Sequence, residues 1–448
     1  MKTLGALCGA VTLILLALSP GAVAADRVDY ALPSLATQEA LRDSTLERRI
    51  EQLLPSLMRR AGIDVWLLIA REYNDDPVLQ TFLPARWPTA RRRTILLIHD
   101  RGPEAGLETL AFARYPVGRF KAAWNPEAEP DQWAALAAKL EALDPRVVAV
   151  NRSENFALAD GLSSTEYAQL SAALSPALRG RLASAEPLAV GWLETRLPEE
   201  RTRHGEAVAL AHALLAEGLS SAVVTPGETR TDDLAWWLLE ALRDRGLTSW
   251  FHPSVSVQRA GVTDESGEAK SLYNVVIQPG DLVHVDFGLR YLGLYTDTQQ
   301  MAYVLPSGVD SAPPWLAAAM ARGNRLQDLL TEAFVTGRSG NAVLRAALGA
   351  AQAEGLGGAI YTHPLGLHGH AAGPTIGMWD QQGGVPGPGD YPLYPNTAYA
   401  IELYASYAPP SWGGQRVRIK LEEDAFFDGE AVTYLAGRQT AFHLIRSP

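Results

Sequence analysis

Two aspartates eleven residues apart, each in an apolar run of strand-like length, constrain this chain more than any other feature. The segment reads Gly280-Asp281-Leu-Val-His-Val-Asp286-Phe-Gly-Leu-Arg-Tyr-Leu-Gly293-Leu-Tyr-Thr-Asp297. Gly293 can supply the positive φ that a tight hairpin needs. With 290–293 as a four-residue loop, the register sets Asp286 opposite Asp297, their Cβ atoms about 4.5–5.5 Å apart. Carboxylates so placed in a buried hairpin repel each other unless a cation or a proton lies between them. On an exposed hairpin the same pair is simply solvated, and the spacing alone leaves both readings open. Asp286-Phe-Gly also spells a kinase triplet, but the other kinase signatures are absent.

Three further segments carry chemistry. Three of the nine histidines fall within eight residues, in His363-Pro-Leu-Gly366-Leu-His368-Gly-His370-Ala-Ala-Gly-Pro374. A lone histidine is more often a satisfied core residue, whereas a cluster in a Gly/Pro loop favours a ligand or catalytic role. Glu402 interrupts the apolar run 399–404, and Glu422-Glu423-Asp424 ends a strand predicted over 416–421. A glutamate inside an apolar strand needs a cation, a buried ion pair or an edge position facing water. The two-residue period of a strand places Lys420 and Glu422 on one face and Glu423 on the other.

Composition sets the frame for these segments. Of 448 residues, 47% are hydrophobic and 20% charged, the balance of a globular chain with enough residues for two domains. The net charge of −11 argues against nucleic acid as a partner. The densest basic run, Arg91-Arg92-Arg93, reads as a solvated strand edge.

Residues 1–24 read as a signal peptide. Lys2 provides the positive start, 4–18 the apolar stretch and Ala22-Val23-Ala24 the small residues before cleavage. The apolar run is shorter than the about 20 residues that a membrane span needs, so a retained anchor is the less favoured reading. The expectation is an exported protein, periplasmic or secreted, with no membrane attachment after cleavage. The sole cysteine, Cys8, lies in this segment, which leaves the mature chain without a disulfide.

Residues 25–192 alternate strand and helix patterns, as an α/β domain does. Helices are predicted over 45–60, 131–143 and 164–174, the last with Ser164 as N-cap and Glu166 in its first turn; strands are predicted over 63–70, 94–99, 107–115 and 147–151. A boundary falls near 191–203. Long helices over 206–219 and 231–245 follow, and from Ser249 onward the pattern reads as strands and Gly/Pro-rich loops.

Taken together, the four acidic and histidine-bearing segments resemble one family, the pita-bread metallopeptidases. It includes aminopeptidase P, prolidase and methionine aminopeptidase, with creatinase as a metal-free relative. The family pattern of Asp, a second Asp eleven residues on, His in an H-x-x-G-x-x-x-H loop and two later Glu is matched by Asp286, Asp297, His363 with Gly366 and His370, Glu402 and Glu422. The resemblance covers about 197–448 and implies an α+β architecture, a C-terminal pita-bread domain preceded by a smaller creatinase-type α/β domain. It implies two divalent ions, Mn, Co, Zn or Fe, with Asp286, Asp297, His363, Glu402 and Glu422 as ligands and a metal-bridging hydroxide as nucleophile. It further implies Glu402 as general base and acid, His370 as a catalytic and substrate-binding group, and homodimers among its members.

The expected activity is that of an Xaa-Pro aminopeptidase or Xaa-Pro dipeptidase on a small peptide. The alternatives are hydrolysis of a non-peptide amide C–N bond, or a non-catalytic metal or peptide binder. Two departures keep these alternatives open. The histidine that the family carries upstream of the first Asp is missing, with Glu268-Ala269-Lys270 in its place. The family's Arg-Ile-Glu is here Arg418-Ile-Lys420-Leu-Glu422-Glu423, so Lys420 is the candidate for the arginine's place at the substrate.

Overall fold

Every side chain from Val65 to Ala70 is buried, because the strand they form is covered on both faces. A computed structural model describes residues 32–447, so the targeting segment and Cys8 lie outside the described residues. The strand Val65–Arg71 turns Trp66, Leu68 and Ala70 to a core shared with Phe82 and Trp192, and Val65, Leu67 and Ile69 to a second core with Leu136, Leu140 and Leu170. Full burial of each large apolar side chain contributes about 1.5–3 kcal/mol. Strands covered twice read as continuous apolar runs. The sheet has six strands in the order Lys121–Ala122, Leu107–Phe112, Arg93–Asp100, Val65–Arg71, Val148–Val150 and Leu182–Ser184. Pairing is antiparallel along the first hairpins and parallel where helices intervene.

Several element boundaries differ from the sequence pattern for identifiable reasons. The first helix starts at Leu35, ten residues early, runs to Arg48, passes through a π turn at Arg49–Leu53 and continues over Leu54–Ala61. Leu35–Arg48 buries no residue, so it carries no apolar period to detect. Ser163, not Ser164, caps the helix Ser164–Ala173, its hydroxyl accepting the Glu166 N–H. The helix predicted over 206–219 spans Pro198–Gly218, with proline at its start and the Glu200 carboxylate accepting the Leu197 N–H at 2.8 Å.

The second sheet has nine strands. Its main path runs Gly358–Ile360, Thr397–Tyr407, Val417–Phe427, Thr298–Val304, Leu282–Phe287 and Ser254–Gln258. Strands His363–Leu365, Val432–Tyr434 and His443–Ile445 pair alongside it. Helices Pro198–Gly218 and Thr231–Asp244 pack on Val283, Val285 and Phe287. Two helices that the sequence pattern had as strands and loops, Trp315–Glu332 and Gly340–Ala353, cover the other half against Tyr399, Ile401, Leu403, Ala425 and Phe427. A Cβ on Gly323 would lie 2.7 Å from Leu421 Cδ1, so glycine here lets the helix sit directly on the strand that carries Glu422. All four helices lie on one face, leaving the alternate side chains of each strand to face the other way. Among the described residues no helix is long and apolar enough to cross a membrane.

Charged side chains stitch the two sheets together. Arg49, buried in the π turn, donates to Thr195 O at 2.8 Å, to Glu200 Oε2 at 2.7 Å and to Trp192 O. Glu194 is the unbalanced member of this junction. Its Oε1 accepts the Tyr391 hydroxyl at 3.2 Å and stands 3.8 Å from Arg60, while its buried Oε2 has no partner. Burial pushes this carboxyl from its ordinary 4.5 up to about 8, against the pull of Arg60. The folded chain therefore holds a proton that the unfolded chain releases, and stability from this group is lost as pH rises toward 8. Glu194→Gln should match the wild-type melting temperature near pH 4 and exceed it by a few degrees near pH 8, read by scanning calorimetry. A parallel pH dependence in both proteins would contradict the assignment.

Candidate metal centre

The hairpin that opens the site is tighter than the sequence spacing implied. Leu292 and Gly293 form a two-residue turn, both at positive φ (53° and 84°), with Tyr291 opposite Leu294 and Arg290 opposite Tyr295. The register therefore pairs Asp286 with Gln299 and not with Asp297. The shift is by two residues, so side-chain parity is kept and Asp297 remains a diagonal neighbour of Asp286. The strand Val417–Phe427 likewise runs through Glu422, Glu423 and Asp424 where the sequence pattern ended it.

Register then draws one line across four neighbouring strands. Asp286 lies opposite Gln299, Gln299 opposite Glu422, and Glu422 opposite Glu402. Directly opposed residues hold their Cβ atoms about 4.5–5.5 Å apart, so three carboxylates and one amide form a row on the face turned away from the helices. Asp297 enters just before its strand, its backbone N–H 3.2 Å from both oxygens of the fully buried Asp424. His363 enters from the adjacent short strand, paired with Ala400. Thr362 fixes that strand to the glutamate, its hydroxyl bonded to both the N–H and the carbonyl of Glu402 at 2.9 and 3.0 Å.

His363 Nε2 stands 3.5 Å from Asp297 Oδ2, 3.5 Å from Glu422 Oε1 and 4.0 Å from Glu402 Oε2. Its Nδ1 lies 3.0 Å from Pro364 O, an acceptor, so Nδ1 carries a proton and Nε2 is the nitrogen turned toward the carboxylates. Three overlapping triads hold one ligand atom each within 4.8 Å of one another: Asp286, Asp297 and Glu422; His363, Glu402 and Glu422; and Asp297, His363 and His370. Asp286 Oδ1, His363 Nε2 and Glu422 Oε1 are buried without a hydrogen-bond partner. Buried polar atoms left without partners are costly, and here they converge on one volume.

Electrostatics point the same way. Burial and then neighbouring acids raise the carboxyls of Asp286, Glu402 and Glu422 well above their ordinary range, Asp297 acting on the first and last and Glu422 on Glu402. Although burial opposes it, the Asp297 and Glu402 carboxylates raise the His363 imidazole to about 9. The cluster thus demands positive charge. One imidazole with four carboxylates is a hard, oxygen-rich donor set that suits a divalent cation, so the residues present fit metal ions.

The remaining side chains sort as follows. Glu423 points to the helix face, 2.8 Å from His212 and accepting the Gln439 N–H at 2.6 Å, so Glu422 and not Glu423 joins the row. Lys420 sits on the row's face with its Nζ 3.1 Å from Ser271; burial lowers its ammonium to about 8, with Asp286 and Glu402 pulling upward. In the segment where the family has its upstream histidine, Glu268 is taken by Arg418 at 2.8 Å and Ser271 meets Lys420. The exposed His370 stands edge-on to His363, ring centroids 4.6 Å apart, and 5.1 Å from Trp250. A Cβ on Gly369 would fall 2.2 Å from the Trp250 ring, so glycine there is what lets the loop close on it. Trp250, Tyr295, Arg290, His368 and His370, with Leu158 from the N-terminal part, line a cleft of about 440 Å³.

Sequence reasoning missed Gln299, His284, Tyr361 and Asp424. Tyr361 lies near the site, its phenol raised well above its ordinary value by burial and then by Glu402 and Glu422. The correct two-residue turn would have exposed Gln299 as the partner of Asp286, and the other three carry no spacing signal of their own.

No curated protein matches the chain in sequence. Solved structures share its fold. The X-Pro aminopeptidase from Thermotoga maritima MSB8 is 16% identical, with a TM-score of 0.60 over 87% of this chain and 99% of that one. The Xaa-Pro dipeptidase from Bacillus anthracis is 17% identical, with a TM-score of 0.57 over 91% and 99%. A dipeptidase from Mycobacterium ulcerans is 18% identical, with a TM-score of 0.57 over 90% and 99%. Residues 203–424, which carry the entire row, match the model of metallopeptidase family M24. The pita-bread domain of residues 203–424, with Asp286, Asp297, His363, Glu402 and Glu422 within it, belongs to that metallopeptidase family.

Proposed function

We propose that the protein is an exported peptidase with two divalent ions, acting on short peptides of the Xaa-Pro type. The observation that carries the reading is the convergence of three partnerless buried ligand atoms, on Asp286, His363 and Glu422, at the centre of an M24 domain. Asp286 would hold one ion and His363 with Glu402 the other, while Asp297 and Glu422 lie within reach of both, as the overlapping triads suggest. The donor set accommodates Mn, Co, Fe or Zn. When bound, such ions polarise a scissile carbonyl and lower the pKa of a water.

The chain's own residues supply the rest. Glu402 is the base that accepts the nucleophile's proton and returns it to the departing nitrogen, a role for the carboxylate at the end of the row, opposite Glu422. His370, exposed at the mouth of the cleft beside His363, donates a hydrogen bond to the substrate carbonyl as charge develops on it. Lys420 offers the substrate a buried ammonium on the same face. The cleft is lined by Trp250, Tyr295 and Leu158 and holds only about 440 Å³, which favours a small substrate over a folded protein. Export rests on the leader read in residues 1–24.

Hydrolysis of a panel of short Xaa-Pro peptides by the mature protein, loaded with Mn, Co or Zn, tests the activity. Cleavage on the amino side of proline is expected. Turnover of non-peptide amides alone would move the assignment to another C–N hydrolase. Glu402→Gln should lose at least about 100-fold in kcat while binding of the ion held mainly by other side chains persists. A fully active variant would remove Glu402 as the base. Glu422→Gln should lose bound metal, measured by elemental analysis. Glu423→Gln should keep it and lower the melting temperature through its His212 and Gln439 contacts. Equal metal loss in both would contradict the placement of the row.

A further inference from the structure

We propose that Gln299 is a positioning residue of this centre, a clamp that holds Glu402 and Glu422 with one oxygen each turned to the cation. The inference rests on the reading of the site as a metal centre and adds a residue that is not itself a ligand. Gln299 occupies the second place in the cross-strand row, between Asp286 and Glu422, and is its only neutral member. Its amide nitrogen donates to Glu402 Oε1 and, at 2.9 Å, to Glu422 Oε2. Both N–H donors of the amide are therefore spent on two directly opposed glutamates.

The oxygens left over are the ones that face the cation. Glu402 Oε2 and Glu422 Oε1 are the atoms 4.0 and 3.5 Å from His363 Nε2, and Glu422 Oε1 is buried without a hydrogen-bond partner. One amide thus divides each carboxylate into a bonded oxygen and a ligating one. It also offsets the repulsion between two acids on adjacent strands without adding a third charge.

The amide's own orientation is set from behind. Gln299 Oε1 lies 2.7 Å from Nε2 of the buried His284. An amide oxygen can only accept, so the contact is an Nε2–H of His284 donating to it, which fixes the amide carbonyl toward His284. The flipped amide would aim its oxygen at two carboxylates. His284 lies two residues before Asp286 on the same strand and so shares its face. The order is then His284 orienting Gln299, and Gln299 orienting two ligands. Outer-shell partners of this kind typically change metal affinity by about 10–100-fold when removed.

The test is Co(II) titration of the full mature chain, followed by calorimetry and by the visible d–d absorption of the ion. Gln299→Leu keeps the volume and removes both donors. Gln299→Asn keeps an amide one methylene too short to reach, and serves if the leucine variant does not fold. Both should bind Co(II) about 10–100-fold more weakly, with a d–d spectrum altered from that of the wild type. A folded variant with wild-type affinity and spectrum overturns the clamp. A wild-type protein that binds no Co(II) overturns the metal-centre reading itself, and the clamp with it, so the two failures are distinct.

Discussion

Mutual repulsion among carboxylates on adjacent strands is the constraint around which the C-terminal domain is arranged. Strand pairing places Asp286, Glu422 and Glu402 in one cross-strand line, with Asp297 beside it. No fold gains from burying such a row by itself, because each acid loses hydration and faces like charge. Two local devices reduce the cost. The Gln299 amide takes one oxygen from each of two glutamates, and the His363 imidazole, raised against burial to about 9 by the Asp297 and Glu402 carboxylates, sets positive charge against the rest. What remains is a set of inward-facing donor atoms that only added positive charge satisfies, which is how a structural liability becomes a site.

The helices exist, in functional terms, to hold that row straight. All four long helices of the domain pack on the opposite face of the sheet, where residues such as Ile401 and Leu421 are fully buried. A strand fixed by its apolar face has its register fixed too, since a slip of one residue would send Glu402 and Glu422 into the core. Gly323 lets one helix settle directly against Leu421, next to Glu422. Arg49 and Glu200 then tie the N-terminal part to the start of Pro198–Gly218, and Leu158 from that side lines the cleft together with His370.

Much of this was legible in the sequence because period-two patterns survive errors of detail. The hairpin register differs by two residues from the one that the spacing implies, yet Asp286 and Asp297 still share a face, because a two-residue shift preserves parity. The same parity separated Glu422 from Glu423. Two helices escape local patterning for different reasons: Leu35–Arg48 buries nothing and so shows no apolar period, whereas Trp315–Glu332 buries a helical stripe but begins without a capping side chain and carries a glycine in its middle. Gln299, His284 and Tyr361 were invisible for another reason. Their significance depends on which strands become neighbours, and a strand order that sets Thr298–Val304 between Leu282–Phe287 and Val417–Phe427 is not written in any local spacing.

The most direct test of the central claim, that the cross-strand row is a divalent-cation centre, is an anomalous difference map from crystals of the mature protein grown with Co(II) and collected at the cobalt edge. The account predicts two peaks, one beside Asp286 and one beside His363 Nε2, with Asp297 and Glu422 contacting both. Density only at surface acids, or none within reach of His363 Nε2, would contradict it.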